Sequence, residues 1–181
     1  MKTSIVLTCA AVIISSTSFA NPAQRSIQLQ GQVAKFCKLD GVLTSGPGAN
    51  GFQISGDAVT IGNFAGADGK HAGAEIQLVI PNALCNAPAT ITLASANNGL
   101  ANASASDISE WDRRVTYSAV ANWNGLQYEL DTQQGTATPA GVTGGAELTD
   151  LTIQITTMPT AKPLQAGTYS DTLTVTLDVV L

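Results

Sequence analysis

Charged and aromatic residues are scarce in this chain of 181 residues, at 12% and 5%. There is one histidine, His71, so a Ser-His-Asp arrangement has a single candidate base. It lies in Ala67-Asp68-Gly69-Lys70-His71-Ala72-Gly73, a stretch expected to form an exposed loop. One histidine and few cysteines leave a zinc site short of ligands. The carboxylates are scattered. Glu129 and Asp131 share a face if they lie on a strand, and that face reads as solvated rather than as a calcium site or an acid pair. Gly46-Pro47-Gly48-Ala49-Asn50-Gly51 lacks the lysine and the helix of a phosphate loop. Basic patches are absent too, which argues against nucleic acid and anionic membrane surfaces as partners. No catalytic, metal or cofactor site is expected, and no enzyme.

Long apolar runs are also missing. Ile5 to Ile14 is broken by Thr8 and Cys9 and is too short to span a bilayer. It follows Lys2 and ends in Ser18-Phe19-Ala20, the layout of a signal peptide over residues 1–20 cleaved after Ala20. The expected mature chain is Asn21 to Leu181, 161 residues long and sized for one domain. Without Lys2, seven basic residues face thirteen acidic ones, a net charge of −6. Export removes Cys9 and leaves Cys37 and Cys85, with one possible pairing in an oxidising compartment; two buried free thiols are the alternative.

What the chain does have is period-two alternation. Ile76, Leu78 and Ile80 alternate up to Pro81, and Ile91 and Leu93 follow the Cys85 turn. Phe52, Ile54, Val59 and Ile61 read as one strand broken at Ser55-Gly56-Asp57. Val115, Tyr117, Ala119, Ala121 and Trp123 form a stripe, and Leu126, Tyr128 and Leu130 form the next. Asn124-Gly125 between them is a tight-hairpin pair. Leu151, Ile153 and Ile155 alternate, as do Leu173, Val175, Leu177 and Val179. About eight strands at this spacing suit an all-β sandwich. Ser106 is expected to cap a short helix near residues 106–114. Trp123 is expected in the core or at its rim, and Trp111 in an exposed loop.

The two ends of the mature chain are complementary. The last strand, Thr172 to Val180, finds no later segment in this sequence to cover its outer edge, a hazard for an apolar strand. Ahead of Cys37, Ser26 to Val33 alternates strictly, with Ile27, Leu29, Gly31 and Val33 on one face and polar residues on the other. Such a segment is built to add a strand to a sheet edge, its side chains filling alternate pockets. A glycine in the stripe marks a close backbone approach.

These residues resemble the chaperone–usher pilins. Their N-terminal extensions look like Ile27-Gln28-Leu29-Gln30-Gly31-Gln32-Val33 ahead of the first cysteine of a disulfide, here Cys37. Their last strand looks like Gly167-Thr168-Tyr169-Ser170-Asp171 followed by Thr172-Leu173-Thr174-Val175-Thr176-Leu177. The Asp-Thr-Leu-Thr-Val-Thr form is most similar to the archaic pilins and the spore-coat-U-like secreted proteins. The resemblance implies an incomplete immunoglobulin-like β-sandwich over residues 37–181, completed by donor-strand complementation. It implies a donor segment over residues 21–36, with Ile27, Leu29, Gly31 and Val33 as its groove-facing positions, and an acceptor edge at Leu173, Val175, Leu177 and Val179. The implied partners are a periplasmic chaperone, an outer-membrane usher and neighbouring subunits, without membrane insertion. The implied location is the periplasm and then a surface pilus. A single-domain tip adhesin and a spore-coat-U-like surface protein are the alternatives.

Overall fold

A computed structural model describes residues 24–46, 51–138 and 141–180. The signal peptide and its cleavage site lie outside the described residues. The chain forms two units divided between Val33 and Ala34. In the first unit, described residues 24–33 carry no strand.

The second unit is all β, with no helix among the described residues. Its strands in chain order are β1 Cys37–Lys38, β2 Thr44–Ser45, β3 Phe52–Ser55, β4 Ala58–Ile61, β5 Ala74–Cys85, β6 Ala89–Ser95 and β7 Leu100–Ala101. There follow β8 Arg114–Val115, β9 Tyr117–Trp123, β10 Leu126–Asp131, β11 Thr136–Thr138, β12 Glu147–Thr157 and β13 Leu173–Val179. The main sheet runs β1-β5-β12-β9-β10-β11, with β2 also on β5. β6 and β13 form a separate antiparallel pair, as do β3 with β4 and β7 with β8.

The stripes place the core. Along β9 the odd-numbered positions Tyr117, Ala119, Ala121 and Trp123 are buried, and Val115 on β8 continues the row. Ile76 and Leu78 of β5, Ile153 of β12, Ile91 and Leu93 of β6 and Leu177 of β13 join the same cluster. Fully burying each such aliphatic side chain contributes about 1.5–3 kcal/mol. The β9–β10 hairpin turns on Asn124 and Gly125, whose φ values of 48° and 78° are both positive, as the tight turn requires.

Three local readings change. Phe52 to Ile61 is a hairpin, Ser55 pairing with Ala58 across Gly56-Asp57, so the break is a turn. β5 does not stop at Pro81. Between the pairs Ile80–Leu151 and Ala83–Thr149, Pro81 and Asn82 face Asp150 alone, and the Asn82 amide donates to the Asp150 carboxylate at 3.0 Å. This bulge relieves Pro81 of ladder duty, one of the few ways a strand carries proline. The short helix expected near residues 106–114 is absent. The Asp112 amide donates to the Pro163 carbonyl and the Asp112 carbonyl accepts from Gln165, so tertiary pairing takes groups a helix would use.

Candidate functional site

The candidate site is the side of β13 that faces away from β6. The Ala96 amide donates to Thr172 O, and the Val180 amide donates to Pro88 O. In the β6 register these bonds fall on even-numbered residues of the β13 segment. Backbone groups alternate sides along a strand, so the amides and carbonyls of Leu173, Val175, Leu177 and Val179 face away from β6. β6 is the only sheet partner of β13 among the described residues. Among the described residues, the apolar positions of this strand therefore carry backbone groups with no ladder partner.

Beside that edge lies an apolar groove of about 660 Å³. Leu173 and Val175 of β13 form one wall, Val59 and Ile61 of β4 contribute another, and Ile76, Leu78, Ile153 and Ile155 reach it from β5 and β12. The volume and the apolar lining are those of a binding site. Leu177 and Val179 lie farther along the strand and do not line this groove; Leu177 is buried in the core instead.

One end of the groove is polar, with Tyr117 and Asp171 on its lining. The Asp171 carboxylate accepts the Tyr117 hydroxyl at 2.7 Å, the Asn97 amide at 2.9 Å, the Thr172 amide at 2.8 Å and the Ser95 hydroxyl. Burial favours the neutral acid, but these donors together outweigh it and hold the carboxyl below its ordinary range. Burial, with the Asp171 charge adding to it, pushes the Tyr117 hydroxyl up, so it remains a donor. The cluster ties the start of β13 to the end of β6 and to β9.

The Gly-x-Tyr-x-Asp run thereby acquires a physical meaning. Gly167 has φ 144°, and a Cβ there would lie 2.4 Å from Asn102 Nδ2. The Tyr169 hydroxyl lies within hydrogen-bonding reach of the Asp112 and Gln165 carbonyls, at 2.9 and 3.0 Å. Asp171 is the latch just described.

In the first unit Ile27, Leu29 and Val33 are exposed at 76%, 92% and 79%, and a Cβ on Gly31 would meet open space. Cys37 and Cys85 form a disulfide across directly paired residues of β1 and β5. Trp123 is fully buried and Trp111 is 45% exposed.

His71 is not an exposed loop residue. It is 3% exposed, its ring tilted on Phe64 with centroids 4.7 Å apart. Nδ1 lies 2.6 Å from the Phe64 carbonyl, which only accepts, so Nδ1 carries the proton; Nε2 lies 2.7 Å from the Thr157 hydroxyl. Sequence reasoning missed Ser95 and Tyr117 as parts of the site, and read Asp171 only as a member of a motif. The motif's position just before the edge strand was the available signal. Comparison of the chain with protein-family models, curated proteins and solved structures yields no match.

Proposed function

We propose that this chain is a structural subunit of a surface fibre, an immunoglobulin-like sandwich short of one strand that is completed by a neighbour. The observation that carries the reading is β13, whose free backbone edge borders a 660 Å³ apolar groove. The occupant is a second copy's segment 24–33. That segment has no strand of its own and exposes Ile27, Leu29 and Val33 in period two. Burying those three side chains contributes roughly 5–9 kcal/mol before ordering costs. Each ladder bond to the odd-numbered residues of β13 adds about 0.5–1.5 kcal/mol.

Donor segment and acceptor groove are different surfaces of one chain. A contact of that type is head to tail, and unless the rotation closes a ring it propagates as a filament. A groove this apolar needs cover before the neighbour arrives, which is the task assigned to a periplasmic chaperone, with an outer-membrane usher as the site of exchange. Deleting Gln24 to Val33 from the mature chain is the test. The truncated protein should fold and accept a donor peptide but form no fibres by electron microscopy. Normal fibres from the truncated chain would refute the reading.

A tip-adhesin reading draws on one observation, the exposure of Trp111 beside Ile108, which is 44% exposed. An exposed indole stacks on sugar faces. Glycan-array binding abolished by Trp111→Ala would favour this second role; equal binding by both proteins would remove it.

A further inference from the structure

Ahead of the Cys37–Cys85 disulfide, the root of the donor segment is held chiefly by Asn86. β1 pairs with β5 at only two positions, Cys37 with Cys85 and Lys38 with Leu84. The disulfide pins the Cys37–Cys85 pair, and residues 34–36 ahead of it carry no strand assignment. Asn86 extends the ladder. Its backbone amide donates to Phe36 O at 3.1 Å, its side-chain Oδ1 accepts the Phe36 amide at 2.8 Å, and its Nδ2 donates to Ala34 O at 2.8 Å. A carboxamide carries the same acceptor and donor as a peptide group, so the Asn86 side chain does the work of a strand residue while the backbone turns towards β6. Lys35 Nζ adds a bond to Val180 O at 3.3 Å.

The Ala34 carbonyl accepts the Asn86 Nδ2 bond at 2.8 Å. Val33 is the last apolar position of the donor stripe, so the stripe and the Asn86 clamp are adjacent in sequence. A flexible linker decouples what it joins because its reach grows with the number of unpaired residues. In the donor-strand reading the clamp at residues 34–36 keeps that number small.

We propose that Asn86 is the positioning residue of the joint between consecutive subunits, and that by clamping residues 34–36 it makes the fibre stiff. The proposal rests on the donor-strand reading and concerns the mechanics of the fibre, not its formation. The clamp bonds are solvent-exposed, so folding should depend on them little, while the swivel at the joint depends on them directly.

The test compares fibres of the full mature chain with fibres of Asn86→Ala, of Asn86→Asp, and of a variant with two glycines inserted between Val33 and Ala34. Asn86→Asp keeps the acceptor for Phe36 but loses the donor to Ala34. The insertion adds slack ahead of the clamp without touching the sandwich or the Asn86 bonds, so it calibrates how far slack softens the fibre, and Asn86→Asp carries the test if Asn86→Ala folds poorly. Persistence length is measured by electron microscopy, and hydrogen exchange is followed at the Phe36 amide. Asn86→Ala should raise Phe36 exchange roughly tenfold. Persistence length should fall by about half or more for Asn86→Ala and for the insertion, with Asn86→Asp between them and the wild type. Unchanged stiffness in Asn86→Ala and Asn86→Asp, whatever the insertion does, would overturn the clamp and leave the donor-strand reading standing. If the wild-type chain forms no fibres at all, that reading falls and this proposal with it.

Discussion

Replacing Asp171 with alanine removes the acceptor on which five donors converge: the hydroxyls of Ser95 and Tyr117 and the amides of Asn97, Gly99 and Thr172. The carboxylate is only partly buried, so water reaches some of the freed donors. The Tyr117 side chain belongs to a residue just 3% exposed, and the penalty concentrates there. Counting one to two charge-assisted bonds at about 1.5–3 kcal/mol each and discounting for the exposed side gives a loss of about 2–4 kcal/mol. Urea denaturation at neutral pH reads this directly, and Tyr117→Phe, which removes one donor, should cost less. The pH dependence gives a second reading. Asp171 ionises more readily folded than unfolded, so its contribution is complete above the unfolded carboxyl value of about 3.9 and is lost as pH falls through the lower folded value. The stability gap between wild type and Asp171→Ala should therefore be wide at neutral pH and narrow in acid. A gap under about 0.5 kcal/mol at neutral pH, or one that does not shrink in acid, would refute the latch.

Two further outcomes follow from the same structure. The Cys37–Cys85 bridge spans 48 residues, which on the chain-entropy model stabilises the fold by about 4 kcal/mol. The double serine variant should melt about 10 °C lower by calorimetry, and an unchanged melting temperature would count against that contribution. Gly167→Ala forces a side chain into a φ of 144° against Asn102, which itself donates to Ala166 O, and should cost about 1–3 kcal/mol in urea unfolding; a neutral result would mean the loop re-forms without strain.

The legible parts of the fold were those coded locally. The alternation from Val115 to Trp123 names a buried face, and Asn124-Gly125 names the turn that follows, because both depend only on neighbours in the chain. The passage of β5 through Pro81 was hidden, since the bulge that permits it is completed by Asp150 on another strand. His71 misled for a related reason. Its glycine-rich surroundings suggest an exposed loop, whereas its burial is set by Phe64 and by Thr157, 86 residues away. At the site, Leu173 and Val175 were readable from period two alone. Their polar neighbours were not, because Ser95, Tyr117 and Asp171 come from three segments that only the folded chain brings together.

The sharpest measurement is residue-resolved hydrogen exchange along β13 in a chain lacking Gln24 to Val33, with and without excess synthetic peptide of that sequence. Thr174, Thr176 and Asp178 bond to β6 and should be protected in both states. Leu173, Val175, Leu177 and Val179 should exchange freely alone and become protected when the peptide binds, and a Leu29→Asp peptide should fail to protect them. Protection of the odd-numbered amides before any peptide is added, or none after, would contradict the open edge on which the account rests.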